Sequence, residues 1–256
     1  MAEIEDPTTQ KWDDPDLIRR LNHFLSSPNP QDFSALALDI FAYQFARNRP
    51  FAAFARSLNG DLKPGTLVTD VGSVKVLPHE VAGRHGVPFI GSHPMAGSEQ
   101  TGIEAARADL FKGAACALTN DQERPDSELQ ALAAFWQNLG CSTSEMNSQD
   151  HDRAVARISH LPHAMAVATA GAALRFPGDE SLAAGGFRDT TRVASGDPAM
   201  WAEIMVENRA ALTAALKDAQ KEIREMLDHL AKPDKKGLQN YLSEVKARKE
   251  NPSENL

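Results

Sequence analysis

The sequence predicts an α/β layer followed by an all-helical half: a partial parallel sheet first, then long helices. Three observations carry this. Between residues 66 and 146 four short apolar runs alternate with helical patterns, and strand–helix alternation is the signature of a parallel sheet. From about residue 149 the strand signals stop and the remaining chain is helical in period. A chain of 256 residues has room for one large domain or two modest ones. The expected division is a helical segment at 1–60, a sheet part at 61–148 and a helical part at 149–256.

Taken in order, residues 1–16 are polar, with Pro7 and Pro15, and read as loose. Phe33, Leu36, Ala37, Ile40, Phe41 and Phe45 follow helical spacing, so a helix is expected within 31–58, closed by the turn "NGDLKPG" at 59–65. The strand candidates are "TLVTDVGS" (66–73), "VPFIGSHP" (87–94), "AACALTN" (114–120) and "CSTSEM" (141–146). Between them lie the helical "VLPHEVAGRHG" and "SELQALAAFWQNLG", the second expected to stop at Gly140. "SQDHDRAVARISHLPHAMAVATAGAALRF" reads as one long helix kinked at Pro162, where a backbone hydrogen bond is lost. Its small-residue run at 164–174 is expected to be buried against a neighbour. A second long helix carries an apolar stripe through Ile204, Leu212, Ala215, Leu216, Ala219, Ile223, Met226, Leu227 and Leu230.

Composition excludes several partners. Net charge is −8, from 27 basic and 35 acidic residues, with no basic stripe, so no nucleic acid is expected. The C-terminal lysines alternate with acids and read as a solvated face. Cys116 and Cys141 match no metal or redox spacing. The longest small-apolar run is too short for a bilayer, so no membrane partner is expected. The start, "MAEIEDPTTQ", has no signal-peptide character, and a cytoplasmic protein is expected.

Four clusters could carry chemistry. In "TDVGSVK" a strand end presents Ser73 and Lys75 where open α/β sheets bind ligands, although Ser73 there could equally be a helix N-cap. In "GSHPMAGSEQTG" His93 follows the next strand, with Pro94 ending it and Gly91 and Gly97 allowing close backbone approach. In "SHLPH" Ser159 and His163 stand four residues apart on one helix face. The two histidines of this motif match no zinc signature, and no metal is expected. In "GGFRDTTRVASGDP" Arg188 and Arg192 suit either carboxylate recognition or surface pairing with Asp189 and Asp197.

The order and spacing of "LKPGTLVTDVGSVK", "FIGSHPMAGSEQTGIEAARADLFKGAACALT", "ISHLPHAMA" and "GGFRDTTRVASGDPAMWAEIMVENRAAL" resemble the prephenate and arogenate dehydrogenase (TyrA) family over roughly residues 61–230. The resemblance implies a Rossmann-like catalytic part and a helical dimerisation part. It implies NAD(P)-dependent oxidative decarboxylation of prephenate to 4-hydroxyphenylpyruvate, or of arogenate to tyrosine, with NAD or NADP as cofactor and a homodimer as the assembly. By the same resemblance His93 is the hydrogen-bond acceptor or base at the C4 hydroxyl, and Ser73 orients it or the hydroxyl. Arg192 pairs with a substrate carboxylate, Ser159 and His163 line the substrate pocket, and Glu99 stands near its mouth. Asp70 and Gly72 are the cofactor-side candidates.

The glycine-rich G-x-G-x-x-G turn that cradles a pyrophosphate is absent from the sequence. About sixty residues precede "LKPGTLVTDVGS" and read as helix, and their stretch 33–59 faintly resembles the start of acyl-protein synthetases. Two further readings therefore stand beside the dehydrogenase. One is a catalytically silent, truncated relative that dimerises or binds an aromatic-pathway metabolite. The other is an N-terminal acyl-transfer or interaction module joined to a remnant.

Overall fold

The structure, a computed structural model, describes residues 66–97, 107 and 109–251. The expected N-terminal helix at 31–58 and its turn, the segment 1–60 as a whole, and Glu99 lie outside the described residues.

Among the described residues three strands form the sheet, in the order β1 (Gly91–Pro94), β2 (Ala115–Thr119), β3 (Ser142–Met146). The β2–β3 pair is parallel, as expected, but β1 runs antiparallel to β2, with Gly91 opposite Thr119 and Pro94 opposite Cys116. The sheet is thus mixed. Apolar patterning reports which face is buried and is silent on strand direction, so direction was not available from the sequence. The candidate strand 66–73 contributes one parallel bridge, Val68 to Phe89, before the chain turns around Asp70.

Helix α1 (Val76–His85) follows that turn and ends on Gly86 in the left-handed region at φ 65°. Its underside meets the small core of Val68, Ala82, Val87 and Phe89. Helix α2 (Asp126–Asn138) buries Leu132 and Trp136, four residues apart, against Ile90, Cys116, Leu118 and Cys141. It stops as the sequence predicts: Gly140 takes φ 95° and returns its N–H to the Gln137 carbonyl at 2.9 Å.

The helical part begins with α3 (Ser148–Val155), capped by the Asn147 side chain accepting from the Asp150 N–H at 2.7 Å. The expected long helix continues from it, but through a π-helical turn at Ala156–His160 into α4 (Leu161–Ala173). The Leu161 N–H reaches back five residues to the Ala156 carbonyl. Pro162 lacks an N–H and its ring crowds the carbonyl four residues earlier, and one extra residue in the turn relieves both. The small-residue run is not the buried helix expected of it: within this chain α4 buries His163 and Ala166, while Val167 and Leu174 are exposed.

Helix α5 (Gly185–Thr191) and a 3-10 turn, Arg192–Ser195, pack against α4. The predicted second long helix is two helices, α6 (Pro198–Glu207) and α7 (Arg209–Ala231), parted at Asn208. The break has a cause. Asn208 is buried, and its Nδ2 donates to the Asp152 carbonyl at 2.8 Å. The apolar stripe divides there too: Ile204, Leu212 and Ala215 are buried, whereas Leu216, Ile223, Leu227 and Leu230 are exposed. Helix α8 (Lys235–Glu250) lies on α7, with Tyr241 buried and its hydroxyl donating to Glu222 at 2.7 Å. No helix among the described residues is long and apolar enough to cross a membrane.

Candidate active site

Asp70 organises the first strand end. Its Oδ1 accepts from the Ser92 N–H at 3.0 Å, and its Oδ2 accepts from the Gly72 N–H at 3.0 Å and pairs with the Lys75 ammonium. The Lys75 side chain is fully buried. All these contacts of Asp70 are internal. The site they leave at the strand end is the loop Gly72–Ser73, where Gly72 is exposed and Ser73 half-buried.

Ser73 is not a helix cap. The N-cap of α1 is Lys75, which has no side-chain cap of its own. The capping acceptor comes from α3: Asp152 takes the Lys75 N–H on Oδ1 at 2.8 Å and the Val76 N–H on Oδ2 at 3.0 Å.

His93 sits in β1, 8% exposed. Its Nδ1 lies 2.8 Å from Nε2 of His151, whose own Nδ1 lies 2.7 Å from Asp152 Oδ1. Among the described residues no hydrogen bond joins Ser73 to His93; the partner of His93 is His151, on α3. Burial, and then the Lys75 ammonium and the His151 and His160 rings, hold the His93 imidazole well below its ordinary pKa. It is therefore neutral near pH 7, with a nitrogen able to accept a proton.

The row of buried rings continues. Asn208 Nδ2 lies 3.2 Å from His160 Nδ1, and His160 packs edge-on to Trp201 at 6.1 Å. His163 lies flat on Trp201, with ring centroids 3.5 Å apart. Burial lowers both imidazoles, that of His160 to about 4. Gly196 closes this end: a Cβ there would stand 2.6 Å from Trp201 Nε1, so only glycine lets the indole lie on the backbone.

Of the residues singled out from the sequence, His93 and His163 thus belong to one row of neighbouring side chains, buried except at the half-buried Trp201. Ser159 lies half-buried in the π-helical turn, and Arg188 and Arg192 are exposed on α5 and the turn after it. Gly91 serves packing: a Cβ there would meet Thr119 and stand 2.8 Å from Lys75 Cδ. A Cβ on Gly97 would meet nothing within 4 Å among the described residues.

Sequence reasoning missed His151, Asp152, Trp201 and Asn208. A signal for the first two was present. "QDHDR" follows a strand end, as Ser73 and His93 do, and places a histidine beside an aspartate. Glu207, half-buried on α6, was missed as well; burial and the neighbouring carboxylates of Glu203 and Asp152 push its carboxyl up to about 7. Both thiols are free, and burial pushes that of Cys116 up to about 12. Among the described residues no group of three His, Cys, Asp or Glu side chains is placed to hold a metal ion.

The described residues thus form a two-part α/β molecule: a small mixed sheet that carries a buried, neutral histidine, and a helical part packed against it. Comparison with known proteins narrows the class. Residues 49–145 match the family described as prephenate dehydrogenase, nucleotide-binding domain, and residues 147–244 match prephenate dehydrogenase, dimerization domain. The chain is similar to a cyclohexadienyl dehydrogenase of Zymomonas mobilis, 30% identical over 77% of this chain and 69% of that protein. It is 32% identical to a prephenate dehydrogenase of Lactococcus lactis over 73% of this chain, and spans 53% of that relative's length. Among solved structures, prephenate dehydrogenase from A. aeolicus, in complex with hydroxyphenyl propionate and NAD+, superposes with a TM-score of 0.73 at 31% identity. That match covers 80% of this chain and 73% of the other. The chain belongs to the prephenate dehydrogenase family.

Proposed function

We propose that the protein is an NAD(P)-dependent dehydrogenase of tyrosine biosynthesis that oxidatively decarboxylates prephenate or arogenate. The observation that carries this reading is His93: buried, neutral and held at the sheet edge in a chain whose two halves match the two domains of the family.

The substrate is a cyclohexadienol with a hydroxyl and a hydrogen on C4 and a carboxylate on the opposite ring carbon. As hydride leaves C4, positive charge develops on that carbon and its oxygen. A neutral imidazole accepting the hydroxyl's hydrogen bond stabilises that charge. The ring carboxylate departs as CO2, and the electron pair of the broken C–C bond completes the aromatic ring. Ser73 is the candidate to orient His93 or the hydroxyl. Ser159 and His163 are proposed to line the pocket, with Glu99 at its mouth. Arg192 is proposed to pair with a substrate carboxylate, for which a guanidinium has the right shape.

NAD or NADP supplies the hydride acceptor. The donors tested for its pyrophosphate at the start of α1 do not fit, because the Lys75 and Val76 amides are committed to Asp152. The loop Gly72–Ser73 does fit the approach of a planar ring: one residue lacks a side chain and the other makes no hydrogen bond among the described residues. Asp70 supports that loop from beneath rather than reaching outward. We further infer a homodimer through the helical part. A second copy covers the exposed row Leu216, Ile223, Leu227 and Leu230, in a region matching a dimerization domain.

The test is to titrate NAD and NADP by calorimetry and then follow reduced cofactor with prephenate and with arogenate. His93→Asn is expected to lower kcat by about 10²–10⁴-fold. The absence of turnover with both substrates would favour the silent relative, a reading supported by the missing G-x-G-x-x-G turn.

A further inference from the structure

We infer that His151 and Asp152 are positioning residues that hold His93 in one tautomer, with the proton on Nδ1 and Nε2 bare for the substrate. The inference rests on the reading of His93 as the hydrogen-bond acceptor at the substrate hydroxyl. It follows from counting protons along three hydrogen bonds.

Asp152 receives two backbone N–H groups, one on each oxygen, from Lys75 and Val76. An amide N–H can only donate, so both carboxylate oxygens act as acceptors. The third contact, 2.7 Å from Oδ1 to His151 Nδ1, therefore has the histidine as donor. Where that Nδ1 proton is the ring's one proton, His151 presents a lone pair on Nε2. The atom 2.8 Å from that lone pair is His93 Nδ1, which in this arrangement donates. The proton of His93 is thereby fixed on Nδ1, and its Nε2 is left as an acceptor.

The arrangement works because none of its members can turn to water. His151 is 1% exposed and Asp152 6%, and the backbone of Asp152 is tied down by Asn208. The groups facing the pair are Lys75 from the start of α1, His160 from the π-helical turn and Glu207 from α6. The device also joins the two halves of the molecule. His93 belongs to the sheet, whereas His151 and Asp152 belong to α3, and the same carboxylate that sets the tautomer caps α1. The direction of the proton chain is therefore correct only while α3 is seated against α1.

The test reads the tautomer directly. In the full-length protein labelled with 15N-histidine, long-range proton–nitrogen correlation spectra distinguish a protonated from a bare ring nitrogen, and His93→Gln assigns the His93 signals. At pH 7.5, chosen above the ordinary histidine range of about 6.5, the wild-type protein is expected to show a protonated Nδ1 and a bare Nε2. His151→Phe, which removes the acceptor, is expected to shift His93 towards the Nε2–H form and to lower kcat by at least about tenfold with little change in KM. His151→Gln retains an acceptor oxygen and is expected to restore the Nδ1–H form and part of kcat. An Nε2–H tautomer in the wild-type protein overturns the inference without any variant, as does a His93 spectrum unchanged by His151→Phe. If turnover fails with both substrates while the tautomers behave as described, the dehydrogenase reading falls and the positioning role stands.

Discussion

The imidazole of His163 lies flat on the indole of Trp201, with ring centroids 3.5 Å apart and planes 11° from parallel. The two residues come from different helices, α4 and α6, so the stack pins one to the other. Trp201→Ala is expected to cost about 2 kcal/mol, below the usual range for a core aromatic because the indole is only half-buried. Trp201→Phe should cost less than half as much. Urea denaturation of the three proteins checks the order.

The Asp70–Lys75 pair is inaccessible to water on the lysine side. Removing one partner strands a buried charge. Lys75→Met is expected to cost about 3–5 kcal/mol, whereas the double variant Asp70→Asn, Lys75→Met should recover a large part of the loss. Thermal unfolding of the single and double variants measures the coupling.

Gly91 and Gly97 stand in one motif, yet they should respond oppositely to alanine. A Cβ on Gly91 meets Lys75 Cδ at 2.8 Å and His79 Nε2 at 3.4 Å, while one on Gly97 meets nothing within 4 Å among the described residues. Gly91→Ala should lose about 1–3 kcal/mol, the usual cost of overpacking. Gly97→Ala should fold as stably as the parent by chemical denaturation.

Acid stability should be masked by one carboxyl group. Burial lowers His160 to about 4 in the folded chain, so its contribution is present above pH 6.5 and is lost as pH falls towards 4. At 1.36 kcal/mol per unit that loss is on the order of 3 kcal/mol, and His79, His93 and His163 act in the same direction. Glu207, raised to about 7, acts in the opposite sense: its contribution is complete below its unfolded value near 4.5 and is lost as pH rises through 7. Glu207→Gln removes the compensation. Its stability should fall more steeply than that of the parent between pH 7 and pH 4.5, as read from urea midpoints at matched ionic strength.

Much of the fold was legible because it rests on local rules. The helix carrying "SELQALAAFWQNLG" and its stop at Gly140 are set within a few residues. The break at Asn208 was not legible, because its cause is a carbonyl contributed by α3. The antiparallel β1 likewise depends on where the chain returns, which alternation of apolar residues does not record. At the site, His93 and His163 could be named from strand-end and helix-face arguments. His151 and Asp152 could not be weighed in the same way, since their meaning comes from Lys75, Val76 and His93, all remote in sequence.

The π-helical turn at Ala156–His160 fixes a phase. Each residue of an α-helix advances the side-chain direction by about 100°. The surplus residue in this turn therefore offsets everything before it from everything after it by about that angle. His151 and Asp152 lie on one side of the offset and His163 on the other. Substitutions within the turn leave that offset intact. A one-residue deletion there would keep nearly the same composition and charge, yet rotate the two ends out of step, so that His151 and His163 could no longer both meet their partners. For the phase between the two ends, the length of this segment is what has to be preserved.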